Sequence, residues 1–225
     1  MKHKCNCSYI ICKFRGNCTA CIAHNIEDGT LPNCMEETAE KLGAKLDVRT
    51  PKTEVLPDYE ELSNRCAQLV KECLAQKPDA LLCFPASDGI VRTCQMLKEM
   101  QDKGEVDFSR THFVALNEWL DLEDDSESYA GFLKKHLYDA LGIEAERLYL
   151  FDVHAENLQE ECKRINQIIS DHGGIDLMLL DLGLNGSIGF NEPGGDFMDY
   201  AKVVELSDAT KEAGQKWFRN CFNKK

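Results

Sequence analysis

Apolar positions along the chain change period repeatedly from residue 58 onward. Between Tyr59 and Gln76 they fall three and four apart, at Leu62, Cys66, Leu69, Val70 and Cys73, which predicts an amphipathic helix with those residues on one face. Asp79–Pro85 compresses its apolar residues into one short run, the mark of a buried strand. The pattern then returns to helical spacing over Ile90–Met100 and to a strand over Thr111–Leu116. Tyr129–Leu141 aligns Phe132, Leu133, His136, Leu137 and Leu141 on a helix. Arg147–Phe151 reads as a strand, Asn157–His172 as a helix and Ile175–Leu182 as a strand. A further strand is expected over Ala201–Leu206, then a charged helix from Ala209. Strands alternating with helices predict an α/β domain with a mostly parallel, Rossmann-like sheet flanked by helices.

The cysteines divide the chain. Six of the twelve lie in the first 34 residues. Residues 1–34 carry four Lys/Arg against two Asp/Glu, a net of +2, so with a total of −13 the remainder carries −15. The expected organisation is a cysteine-rich domain over 1–36, a linker over 37–57 containing Pro51 and Pro57, and the α/β domain over 58–225. The acidic balance argues against a broad nucleic-acid surface. No apolar stretch reaches the roughly 20 residues of a membrane span. Met1-Lys2-His3-Lys4-Cys5 lacks the apolar core of a signal peptide, so a cytoplasmic protein is expected.

In such a compartment dense cysteines point to metal or redox chemistry before disulfides. Cys18 and Cys21 form a CxxC, with His24 three residues later, and Cys5, Cys7, Cys12 and Cys34 complete a candidate ligand set. Structural zinc and free or redox-active thiols are the two readings. The segment resembles a small cysteine-rich domain of unassigned function found in bacterial cytosolic proteins.

The richest chemistry follows the run Ile175–Leu180. Asp181-Leu182-Gly183-Leu184-Asn185-Gly186-Ser187-Ile188-Gly189-Phe190-Asn191-Glu192-Pro193-Gly194 is a glycine-rich loop holding carboxylates and carboxamides. In an open α/β sheet, ligands bind where such loops leave the carboxyl ends of strands. The stretch from Asn185 resembles the loop of glucosamine-6-phosphate deaminases, as does Leu116-Asn117-Glu118-Trp119-Leu120-Asp121-Leu122 with Glu127-Ser128-Tyr129 and Phe132. Trp119 and the Asn185-Gly186 pair look closer to the galactosamine-6-phosphate isomerase branch. The Asn-Glu-Pro-Gly run speaks against 6-phosphogluconolactonase, a relative of the same fold.

The resemblance implies an aldose–ketose isomerisation coupled to loss of ammonia, without a catalytic cofactor. The position of the carboxylate base falls on Asn117, and a carboxamide cannot accept a proton near neutral pH. Glu118 is expected to point away. The ring-opening histidine falls on Ser187, while Glu192 is retained and Asn185 stands for an aspartate. The phosphate loop falls on Ala86, Ser87, Asp88 and Gly89, where amides at a helix start suit an anion. Asp88 reads as a helix N-cap. Gly186 and Lys216 complete the implied substrate contacts, Lys216 in place of an arginine. A sugar phosphate is therefore the expected partner, with impaired catalysis. A catalytically inactive sugar-phosphate regulator and a zinc-binding interaction module are the alternatives. The family continues through more strands after this loop, so the far sheet edge is expected to lie uncovered or to meet a partner or a second copy. Trp119 reads as a packing residue, His112 and His154 as surface or loop residues, and Cys66, Cys73, Cys83 and Cys94 as small hydrophobes.

Overall fold

A computed structural model describes residues 53–120, 122, 125–183, 186–192 and 200–217, with Ser126, Ala213 and residues 215–217 by backbone alone. The chain divides into two compact units, Met1–Val55 and Leu56–Lys225. The zinc candidates Cys5, Cys7, Cys12, Cys18, Cys21, His24 and Cys34 lie outside the described residues.

The four residues of β1 (Leu81–Phe84) are all buried, as a central strand covered on both faces must be. It pairs in parallel with β2 (His112–Ala115), in register Leu81 with His112 through Phe84 with Ala115. β2 pairs with β3 (Leu148–Tyr149), and β1 with β4 (Leu177–Met178), both in parallel. The sheet order is β3-β2-β1-β4, so the expected parallel α/β architecture is present.

Helix α1 (Tyr59–Gln76) starts at Asp58, whose carboxylate accepts the Glu61 amide at 2.9 Å. Its buried stripe is Ser63, Ala67, Val70 and Leu74, one residue round from the expected face; Leu62 is 50% exposed. The cause is close packing on α2 (Val91–Asp102): Thr93 donates to the Ser63 carbonyl, so small residues make the contact and the larger Leu62 turns outward. After β2, α3 (Tyr129–Leu133) runs through a π turn at Lys134–Tyr138 into α4 (Asp139–Leu141). Gly142 ends it in the left-handed conformation at φ 69°. α5 (Leu158–Asp171) follows β3, and α6 (Asp208–Trp217) closes the described chain.

Because strand side chains alternate, the sheet sorts its residues into two clusters. Leu82, Phe84 and Phe113 meet α1, α2 and the α3–α4 segment in one, around the buried Leu97, Leu137 and Tyr138. Leu81, Cys83 and Val114 meet Ile165 of α5 in the other. Burial lifts the Cys83 and Cys94 thiols to about 12, so both are inert apolar fillers.

The expected strand at Ala201–Leu206 is not formed. The segment has no regular secondary structure and no strand partner among the described residues; instead the Ala201 amide donates to the Asn166 side chain of α5 at 3.0 Å. His112 is also not a loop residue. It opens β2 half-buried, 3.1 Å from the Tyr149 hydroxyl, and burial with the neighbouring His172 holds its pKa below the usual value.

Candidate active site

Three loops leave the carboxyl ends of β1, β2 and β4 and come together. Gly189 lies against Leu116, and Phe190 packs edge-on to Trp119 with ring centres 4.8 Å apart. Asn117, Glu118, Ile188, Phe190 and Asn191 line a common cleft of about 340 Å³. Its other wall is α5 and the segment from Tyr200 to Val204.

The β4 loop is a small folded unit. Gly183 donates to the Ser187 carbonyl at 2.7 Å, and Ile188 and Asn191 exchange backbone bonds at 3.3 and 3.1 Å. Gly186 at φ 83° and Gly189 at φ 60° supply the left-handed turns this path needs. Ser187 is buried beneath it. Glu192 reaches Ser207, accepting its amide at 3.0 Å and its hydroxyl at 3.1 Å. Ser207 in turn caps α6, so Glu192 ties the loop to that helix. Asn185 lies outside the described residues. Lys216 is on α6.

Asn117 is half-buried on the cleft wall, and its carboxamide makes no hydrogen bond among the described residues. Glu118 is turned to the start of α3. Its carboxylate accepts the amides of Trp119 at 2.9 Å, Tyr129 at 3.0 Å and Ala130 at 2.8 Å. Three amide donors fix the carboxylate in that place. Glu118 therefore positions the β2 loop, a role the sequence did not reveal.

Trp119 is buried against Phe190, Tyr129 and α6, as a packing residue. A Cβ at Gly214 of α6 would stand 2.6 Å from its ring, so only glycine permits this docking. His154 is exposed and paired with Asp125 at 2.9 Å, which raises its pKa.

In the β1 loop Ala86 is buried and Ser87 half-buried. Asp88 is not the N-cap: Ser87 holds that position, and Asp88 begins a single tight turn, Asp88–Ile90, with its carbonyl accepting the Tyr59 hydroxyl at 3.1 Å. Gly89 faces Asp181 across the crevice; a Cβ there would lie 3.7 Å from an Asp181 carboxylate oxygen and 3.4 Å from the Ser87 hydroxyl. Among the described residues no cluster of three or more His, Cys, Asp and Glu is placed to hold a metal.

A family model described as glucosamine-6-phosphate isomerases/6-phosphogluconolactonase matches residues 58–189. The chain belongs to this family. Curated family members include the glucosamine-6-phosphate deaminase of Bacillus pumilus, 37% identical over 72% of this chain and 67% of the relative. That of a Thermoanaerobacter species is 34% identical over 72% and 65%. The chain thus spans about two thirds of the length of these curated relatives. A solved monomeric glucosamine-6-phosphate deaminase superposes with a TM-score of 0.71 at 30% identity, over 75% of this chain and 70% of that one. A 6-phosphogluconolactonase from Plasmodium vivax shares the fold, with a TM-score of 0.57 at 18% identity over 70% and 56%. Residues 1–45 match a second family model, a domain of unknown function (DUF6485). Among the described residues no helix is long and apolar enough to cross a membrane.

Proposed function

We propose that the α/β domain is an amino-sugar site of the isomerase/deaminase type whose proton-transfer chemistry is impaired. One observation carries this reading. Asn117 lines the cleft where the family resemblance asks for a base, and the adjacent carboxylate, Glu118, is engaged by three backbone amides. An amide orients a hydroxyl or carbonyl but does not take up a proton at neutral pH. Ser187 holds the position of the ring-opening histidine, and a hydroxyl does not shuttle protons there either. Membership of the family and the names of the curated relatives support a hexosamine as the ligand class.

Purified full-length protein is given glucosamine 6-phosphate and galactosamine 6-phosphate, with ammonium and ketose release followed. Turnover at least roughly 10²-fold below that of a competent deaminase is expected, the low end of the cost of a lost general base. Thermal stabilisation by a hexosamine is expected alongside it. Turnover at full speed refutes the impairment; no stabilisation by any hexosamine refutes the ligand class.

A further inference from the structure

Of Asn117, Ser187 and Glu192, only Glu192 keeps the residue type that the family resemblance asks for, yet its carboxylate is turned to a helix. One of its oxygens accepts the Ser207 amide at 3.0 Å and the Ser207 hydroxyl at 3.1 Å. That hydroxyl accepts in turn from the Thr210 amide at 3.3 Å, and the Ser207 carbonyl from the Lys211 amide at 2.9 Å, so Ser207 is the N-cap of α6. Two bonds from the cap residue to one carboxylate oxygen fix where the helix starts.

A second anchor lies further along. A Cβ at Gly214 would stand 2.6 Å from the Trp119 ring, so the backbone of α6 rests on the indole. The anchors are seven residues apart, about 10 Å at 1.5 Å per helical residue. The β4 loop holds Ser207, the β2 loop holds Gly214, and β1 lies between those strands in the order β3-β2-β1-β4. Two strand spacings of about 4.8 Å make the same roughly 10 Å. α6 therefore crosses the carboxyl end of β1. There the loop into α2 holds the amides of Ser87, Asp88 and Gly89, which have no partner among the described residues. Lys216 lies two residues beyond Gly214 on the same helix.

We propose that Glu192 is a positioning residue for the ligand's phosphate: it sets α6 across the end of β1, so that the helix, with Lys216, completes the anion site begun by those amides. The inference rests on the amino-sugar reading above and gives the retained carboxylate a task away from the sugar ring. Removing it frees the start of α6 and leaves Asn117, Asn191 and the cleft wall in place. The phosphate then loses a contact that the sugar does not.

The test is calorimetric titration of the full chain and of Glu192→Ala, Glu192→Gln and Ser207→Ala with glucosamine, glucosamine 6-phosphate and inorganic phosphate. Glu192→Ala is expected to weaken the 6-phosphate and inorganic phosphate by at least about tenfold, the low end for a lost hydrogen bond to a charged group, and glucosamine by less than about threefold. Glu192→Gln, whose carbonyl oxygen still accepts the Ser207 amide, is expected to recover part of the loss. Ser207→Ala is expected to weaken the same two ligands. In a Lys216→Ala background the Glu192→Ala step is expected to shrink below about threefold, because the two residues act through one helix; an undiminished step overturns that route. Equal weakening of glucosamine and its 6-phosphate by Glu192→Ala overturns the proposal, since the carboxylate then touches the sugar. So do unchanged phosphate affinities, and so does a wild type that binds none of the three ligands. Inorganic phosphate bound by the wild type and weakened by Glu192→Ala, with neither sugar bound by any protein, sinks the amino-sugar reading and leaves the role of Glu192 standing. Unfolding midpoints check that each variant folds; if Glu192→Ala does not, Glu192→Gln and Ser207→Ala carry the comparison.

Discussion

The two faces of the sheet are built differently. On one, α1, α2 and the α3–α4 segment bury a large continuous cluster that includes Leu82, Phe84, Leu97, Phe108, Phe113 and Leu137. On the other, α5 covers a small buried set, Leu81, Cys83, Val114 and Ile165, and beyond it the cleft opens. Leu180 and Tyr200 stand exposed there, Tyr200 at 82%. The packed face supplies stability, and the open face supplies access for a ligand. Residues on the two faces should therefore respond to truncation on different scales.

The largest effect is expected from Leu97→Ala in the packed face, a loss of about 2–5 kcal/mol for a buried leucine that leaves a cavity. Leu180→Ala on the open face should cost under about 1 kcal/mol, because its side chain already meets water. Urea unfolding of both variants reads the difference; equal losses would erase the distinction between the faces. Next comes Gly214→Ala. Its methyl group must displace the Trp119 ring, at a cost of about 1–3 kcal/mol and with a shift in tryptophan fluorescence. An unshifted spectrum would show that α6 does not dock there.

The smallest effect concerns how α5 is pinned. Glu161 accepts both Arg164 nitrogens at 2.7 Å and the Asp152 amide at 2.8 Å. The Arg164 bond is the main reason its pKa lies below the usual value, with burial opposing and the Asp152 amide assisting. A carboxyl whose folded pKa is depressed contributes stability above its unfolded value, near 4.3, and loses it as pH falls through the folded value. The stability gap between wild type and Glu161→Gln should thus be full at neutral pH and close as pH falls below about 4. A gap independent of pH would remove the ion pair from the account.

Much of the packed face was legible in the sequence. The run Leu81–Phe84 declared a buried strand, and the helical spacing of Tyr59–Gln76 gave a helix with the same ends. The face of that helix was misread by one residue, because burial of Ser63 and Ala67 follows from close contact with α2 and not from hydrophobicity. Ala201–Leu206 reads as a strand in the sequence, but pairing requires a neighbour, and that segment lies along α5 instead. At the site, the motifs located Asn117, Ser187 and Glu192 in the loops that converge. They could not announce Asp181, whose place opposite Gly89 depends on β1 and β4 being adjacent, or the three amides that hold Glu118. Such partners lie far apart in the chain and carry no local pattern.

The account depends most on the absence of a proton acceptor at Asn117. Glucosamine and its 6-phosphate, deuterated at C2, are incubated with wild type, Asn117→Ala and Asn117→Asp, and loss of the label to water is followed by NMR. The expected result is near-background exchange for wild type and Asn117→Ala, with Asn117→Asp faster by at least roughly 10²-fold. Rapid exchange by the wild type that persists in Asn117→Ala would contradict it, since another ionised group would then be removing the proton.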